Sequence, residues 1–334
     1  MPTITKEQIQ AFRQFLNTHR SFIIAGHKEP DGDCISSCIV LAQIVQKSGK
    51  PFQLISAGPF KRPELKRYEQ RFARTVQEPA AQELSGTGLI IADCSEIQRL
   101  GDMGCDFSRY DRFIIDHHKT SAAEGSAAII YPDSPATAYL VQQLYEQLVG
   151  TPDAKTASLL FFGLAADTGF FRFLTENSAD IFHAAARLTA QGASPRVIYD
   201  EMTSGKPYST RKLLGLMLDR AERKLNGRVI ITYETMEDTR TLGQEGRDSD
   251  SLYQLLLAVS GVEAVAFVRQ ETDRSCTVGL RSRDTLDVSA IAAKFGGGGH
   301  KNAAGLSTEG TIPVLVSRLL AEFEKSLQHA GTAT

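Results

Sequence analysis

The sequence predicts an α/β protein: a parallel sheet flanked by helices, then a smaller α/β domain, with a cleft expected between the two. Three observations predict it. Short apolar runs alternate with stretches of helical periodicity through the first half of the chain. Ionisable residues stand where several of those runs stop, as they do at the carboxyl ends of open α/β sheets. The pattern breaks at TSGKP (203–207) and at LNGR (225–228), and new strand-like runs begin beyond. The boundaries that follow are 1–202 for the first domain, 203–225 for a helical linker that could hinge, and 226–330 for the second.

The elements read in order as follows. FIIAG (22–26) is a strand, and Ile35, Cys38, Ile39, Ala42 and Val45 then share one helical face. FQLIS (52–56), GLIIAD (88–93) and RFIID (112–116) are further strands. Helical patterns cover about 137–149 and 154–166, and 178–220 also reads as helical. In the second domain VIITY, EAVAFVRQ and SCTVGLRSR are strands, with helices near 248–258, 287–294 and 312–327. No internal repeat or low-complexity segment interrupts the chain.

Composition narrows the function. With 334 residues, 42% apolar and 23% charged, this is an ordinary globular composition. The opening MPTITKEQIQ lacks the pattern of a secretory leader, and no apolar run resembles a membrane span. A net charge of −2 disfavours a protein that wraps long nucleic acid, and suits a small anion or a very short strand. The five cysteines, Cys34, Cys38, Cys94, Cys105 and Cys276, form no CxxC pair and point to the reducing cytoplasm.

The chemistry concentrates at strand ends. HKEPDGD follows the first strand with His27, Asp31 and Asp33; Asp93 follows LIIA; Asp116, His117 and His118 follow FII; and Asp167 closes an apolar helix. Asp31, Asp33, Asp93 and Asp167 would repel one another if brought together, and two divalent cations would cancel their charge. With His27 and His117 they form a mixed nitrogen–oxygen donor set, which suits manganese, with magnesium, cobalt, iron or zinc as alternatives. In the second domain, the glycines of GGGGHKNAAG (296–305) let backbone amides approach an anion, with His300 at the end of that loop. Arg281 and Arg283 alternate along a strand and so share a face, where arginine can grip a phosphate. Arg172, in DTGFFRF, could reach the same substrate from the first domain. Phe170, Phe171 and Phe173 offer rings for a base, with core packing the expected role of at least two.

HKEPDGD, IIADCSE, IIDHHKT and AADTG resemble the four metal motifs of the DHH phosphoesterase superfamily, and GGGGHKNAAG resembles the signature of its DHHA1 substrate-binding domain. Motif order and chain length resemble the stand-alone oligoribonuclease (nanoRNase) and pAp-phosphatase branch. The resemblance implies that His27 and Asp31 hold one metal, that Asp33, His117 and Asp167 hold the other, and that Asp93 bridges both. Asp116 would orient an imidazole and His118 would face the phosphate, as catalytic partner to Asp93 and its metals. Arg281, Gly298, Gly299 and His300 would hold the terminal phosphate, with Arg172 and Arg283 as further candidates. Cys34 departs from the pattern, standing where a small residue is expected; it is read as starting the helix, not as a ligand.

The activity implied is hydrolysis of phosphoric esters through a hydroxide activated by two metals. The substrates implied are RNA of about two to five nucleotides, cut exonucleolytically to mononucleotides, and 3′-phosphoadenosine 5′-phosphate (pAp), cut to AMP and phosphate. The alternative is a linear or cyclic dinucleotide (pApA, pGpG, cyclic di-AMP); more remote is a non-catalytic nucleotide-binding module. No long nucleic acid and no membrane is expected as a partner, and a homodimer is left open.

Overall fold

The computed structural model describes residues 3–77, 84–118, 127–283 and 286–330. It divides into two compact units, Met1–Gly205 and Lys206–Thr334.

The first unit is built on five strands, β1 (Ser21–Gly26), β2 (Phe52–Ile55), β3 (Thr87–Ala92), β4 (Asp111–Asp116) and β5 (Ala127–Ile130). They lie in the order β2-β1-β3-β4-β5, with every neighbouring pair parallel. Strands covered on both faces need no polar face, which is why β1, β3 and β4 read as continuous apolar runs. Phe22, Ile24, Ile90, Phe113 and Ile115 face one side, with residues of the helices Lys6–Thr18, Gly32–Lys47, Thr137–Leu148 and Ala154–Asp167. Ile23, Ala25, Leu89, Ile91 and Ile114 face the other, against Leu100, Met103, Phe107 and Tyr110.

The helix Gly32–Lys47 is buried nearly all round. Its N-cap is Asp31, whose carboxylate accepts from the amides of Asp33 and Cys34 at 3.0 Å. It meets the end of the helix Ala154–Asp167 closely: a Cβ on Gly32 would lie 2.7 Å from that of Ala166. That contact brings the residues next in sequence, Asp33 and Asp167, to one place.

The second unit has six strands, β6 (Glu222–Lys224), β7 (Val229–Glu234), β8 (Ala264–Thr272), β9 (Ser275–Ser282), β10 (Gly298–His300) and β11 (Ala303–Glu309). Their order is β10-β11-β9-β8-β7-β6, and only β7 and β8 run parallel. Val229, Ile231, Ala266 and Val268 pack against Leu315, Leu319 and Phe323 of the helix Ile312–Ala330. On the opposite face Ile230, Val265 and Phe267 pack with Leu213, Leu214 and Met217 and with Leu252, Tyr253 and Leu256. The first three belong to the helix Tyr208–Asp219, which lies in the segment expected as a linker and contributes to this core.

Two expectations need correction. The glycine run is not wholly a loop: Gly298–His300 is an edge strand paired antiparallel with Ala303–Gly305. Arg283 lies just beyond the end of β9, and so does not share a strand face with Arg281. Short pieces such as β5 and the charged β6 escaped the sequence reading because neither has enough alternation to stand out. Among the described residues, no helix is long and apolar enough to cross a membrane.

Candidate metal centre and phosphate-binding edge

The chain leaves β1 for β2 on one side of the sheet and returns to β3 on the other, making the carboxyl ends of β1 and β3 a topological switch point. His27 follows β1, Asp93 follows β3, and His117 and His118 follow β4. Asp31 and Asp33 arrive with the first turn of the helix Gly32–Lys47, and Asp167 with the last turn of the helix Ala154–Asp167. The structure therefore gathers His27, Asp31, Asp33, Asp93, His117 and Asp167, with His118 beside them.

Asp93 stands at the centre, and its two oxygens face different neighbours. Oδ2 lies 3.5 Å from Nε2 of His27, which is itself 3.9 Å from Oδ2 of Asp31. Oδ1 lies 3.5 Å from Nε2 of His117, which is 3.0 Å from Oδ2 of Asp167 and 4.0 Å from Oδ2 of Asp33. Asp93 holds this position in a left-handed backbone conformation, φ 64°, uncommon for a residue with a Cβ. Its amide donates to the Ile115 carbonyl at 2.9 Å, and the Thr137 hydroxyl donates to Oδ1 at 2.9 Å.

The imidazoles are set for coordination. Nδ1 of His27 donates to the Lys28 carbonyl at 2.9 Å, and Nδ1 of His117 to that of Ser134 at 3.0 Å. A carbonyl only accepts, so Nδ1 carries a proton in each ring, and Nε2 becomes a free lone pair once a cation displaces the second proton. Asp33 caps the helix Thr137–Leu148 from outside, accepting from the amides of Thr137 at 2.6 Å and Ala138 at 2.7 Å. The helix's own N-cap position, Ala136, has no side chain to do so. Asp116 accepts from the amides of His117 and His118 and from Nδ1 of His118, at 2.7, 3.2 and 2.8 Å. The imidazole it orients is therefore that of His118, while His117 is held by the Ser134 carbonyl.

Charge makes this arrangement costly without a cation. Asp33 and Asp93 are sealed from solvent, at 0% and 1% exposure. Burial, together with the charge of neighbouring carboxylates, pushes both carboxyls above the ordinary aspartate range. Burial would depress His27, but contact with Asp93 and Cys34 and the nearby charge of Asp31 outweigh it and raise the ring to about 12. Burial opposes protonation of His117 too; the hydrogen bond with Asp167 and the charges of Asp33 and Asp93 prevail and raise it to about 10. Divalent cations would compensate this concentration of carboxylates, and its oxygen and imidazole donors fit such ions. Among the described residues, three sets of donors each have their ligand atoms within 4.8 Å of one another: His27, Cys34 and Asp93; Asp93, His117 and His118; and Asp33, His117 and Asp167. Cys34, read only as the start of a helix, thus also brings its thiol beside His27 and Asp93. The sequence reading missed Thr137 and Ser134, since a threonine at a helix start reads as a cap and nothing local ties it to an acid 44 positions away.

In the second unit His300, Ala303 and Arg281 pair across β10, β11 and β9, so their side chains share one face. The Arg281 guanidinium lies 4.6 Å above the ring of Tyr253. Gly298, Gly299 and His300 are exposed. Gly299 could not carry a Cβ, which would fall 2.5 Å from the Ala303 carbonyl, whereas Gly298 has nothing within 4 Å and leaves its backbone open to an approaching group. The Arg283 guanidinium donates to the Leu257 carbonyl at 2.6 Å, closing the end of the helix Ser249–Leu257. Arg172 donates from Nε to the Gly169 carbonyl at 2.8 Å.

Comparison with known proteins agrees with this division. Residues 21–164 match the DHH family, N-terminal domain, and residues 226–329 match the DHHA1 domain. The bifunctional oligoribonuclease and PAP phosphatase NrnA of Thermus thermophilus is 29% identical over 317 residues, covering 92% of this chain and 90% of that protein. The cyclic-di-AMP phosphodiesterase PdeA of Listeria monocytogenes is 23% identical over 94% of this chain, but only 49% of that longer protein is covered. A crystal structure of an exopolyphosphatase-related protein from Bacteroides fragilis shares the fold, with a TM-score of 0.80 at 21% identity, covering 98% of this chain and 99% of that one.

Proposed function

From a chain that belongs to the DHH/DHHA1 phosphoesterase superfamily, we propose a metal-dependent hydrolase that converts short oligoribonucleotides to mononucleotides and pAp to AMP and phosphate. The observation that carries the reading is Asp93, whose two carboxylate oxygens face two separate sets of donors. His27 and Asp31 would hold one divalent ion, Asp33, His117 and Asp167 a second, with Asp93 shared. The nitrogen–oxygen donors favour manganese. When bound, the ions supply positive charge against the phosphoryl oxygens and make water more acidic.

The rest of the work falls to side chains. Thr137 and the amides capped by Asp33 keep the acids in place. His118, with Nδ1 held by Asp116, presents Nε2 and can deliver a proton there to the oxygen that leaves phosphorus. The buried Asp116 carboxylate fixes the orientation of the ring that makes that transfer. His300, Arg281 and the open backbone at Gly298 hold the terminal phosphate of the nucleotide. Coverage of nearly the full length of the bifunctional oligoribonuclease and PAP phosphatase supports this substrate class over cyclic dinucleotides. Five cysteines with no CxxC pair suit a reducing, cytoplasmic setting.

The test is a comparison of kcat/KM for the manganese-loaded protein on pAp, cyclic di-AMP and RNA of increasing length. The expected optimum is RNA of about two to five residues, because a net charge of −2 and a small phosphate grip leave little to gain from added nucleotides. Efficient degradation of RNA of about 24 residues would overturn the length preference, and a higher kcat/KM on cyclic di-AMP would move the substrate to cyclic dinucleotides.

A further inference from the structure

Just past Asp167 the chain makes an unusual turn. Gly169, Phe170 and Phe171 have φ of 55°, 56° and 70°, three consecutive residues in the left-handed region. For phenylalanine this conformation costs about 1–2 kcal/mol per residue, so the surrounding structure must enforce it. It does so through rings. Phe170 packs on Tyr199 at 5.0 Å and on Phe161 at 6.2 Å. Phe171 packs on Phe161 at 5.5 Å and stacks on Phe182 at 5.7 Å. Both belong to the edge of the main core of the first unit.

Phe173 is different. It is 68% exposed, the most exposed phenylalanine among the large apolar residues of the surface. Its ring lies across Gly169: a Cβ there would fall 2.4 Å from the ring edge. The Arg172 guanidinium sits 5.5 Å from the ring centre while Nε holds the Gly169 carbonyl. Gly169 is two residues from Asp167, so its Cα lies within about 7 Å of that of Asp167. A strained turn, anchored by two partly buried rings, thus sets a third ring in solvent beside the candidate metal centre, with a cation close by. Strain of this kind persists where it positions a functional group.

We infer that Phe173 is a stacking platform for the nucleobase of the substrate, with Arg172 beside it as a cationic partner to the same base or its phosphate. Any base has a π-face, so such a platform gives affinity without choosing sequence, as an enzyme that clears mixed short RNA requires. This deepens the proposed function and rests on it for the identity of the substrate, but base binding can be measured without any turnover.

The chain contains no tryptophan, so Phe173→Trp introduces a single fluorescent reporter at an exposed position where an indole needs no repacking. In the presence of manganese, titration with AMP should quench that fluorescence, whereas ribose 5-phosphate, which lacks the base, should leave it unchanged. In turnover of pAp, Phe173→Ala should raise KM about tenfold with the loss carried by KM rather than kcat, and Phe173→Tyr should restore it. Quenching without hydrolysis would leave the platform standing and remove the proposed reaction. Equal responses to AMP and ribose 5-phosphate, or a KM unchanged in Phe173→Ala, would overturn the platform while leaving the reaction intact.

Discussion

In the first unit Asp33, Asp93 and Asp116 are all but sealed from solvent, and hydrogen bonds hold each of them in place. In the second unit Gly298, Gly299 and His300 stand exposed on an edge strand with Arg281 two strands away on the same face. The difference follows from what each region must accomplish. Crowded like charges are tolerable only where geometry is rigid and a cation compensates them, whereas under the proposed function the group that grips a departing nucleotide must be reachable and cheap to vacate. Substitutions in the buried cluster should therefore disturb chemistry and metal together, while those on the edge should disturb recognition alone.

The largest effect is expected at Asp93. Asp93→Asn should lower hydrolysis of every substrate at least a thousandfold, about 4 kcal/mol of transition-state stabilisation. Retention of more than about a tenth of the wild-type rate, in protein whose circular dichroism is unchanged, would refute the shared-ligand role.

At the edge, His300→Ala should lower kcat/KM on nucleotides about a hundredfold while sparing a small diester such as bis-p-nitrophenyl phosphate. Because His300 is exposed, the variant should keep the wild-type melting temperature and the wild-type response to manganese. Equal losses on both substrates would move His300 into the chemical step and dissolve the contrast between the two regions.

The smallest effect concerns pH and the buried cluster without metal. The carboxyls of Asp33 and Asp93 are raised, so they favour the folded state while protonated and lose that contribution as pH climbs through their raised values. His27, raised to about 12, and His117, raised to about 10, contribute fully below the ordinary imidazole pKa and lose that contribution as pH rises through those values. Both sets make the metal-free protein less stable with rising pH. A metal must also displace the imidazole protons, so it binds more tightly as pH rises. The increase in melting temperature caused by manganese should therefore be greater near pH 8 than near pH 6, with protons released on binding in calorimetry. A manganese effect that shrinks toward alkaline pH would argue against imidazole ligation.

Much of the first unit was legible because its signals are local. An apolar run followed at once by His27, Asp93 or the Asp116–His118 triplet marks a strand end and a loop of candidate ligands together. The second unit's edge was less so: Gly298–His300 reads as a loop, and only its pairing with Ala303–Gly305 makes it a strand. Arg281 and Arg283 alternate in the sequence as if on one strand, yet one faces Ala303 and His300 while the other is spent on the Leu257 carbonyl. The three phenylalanines of GFFRF are indistinguishable by composition; packing anchors two and exposes the third.

By itself, the sequence determined the α/β class and offered candidates for the residues that would carry the chemistry, because side-chain type and periodicity are properties of short segments. Tertiary structure alone decided which face of each residue matters. It set Asp93 in a left-handed backbone with one oxygen toward His27 and the other toward His117, and assigned Asp116 to His118. It also recruited Thr137 and the capped amides of a distant helix to hold the acids. These are contacts between segments tens of residues apart, made only when the sheet order brings strand ends together and a glycine at position 32 lets two helices touch.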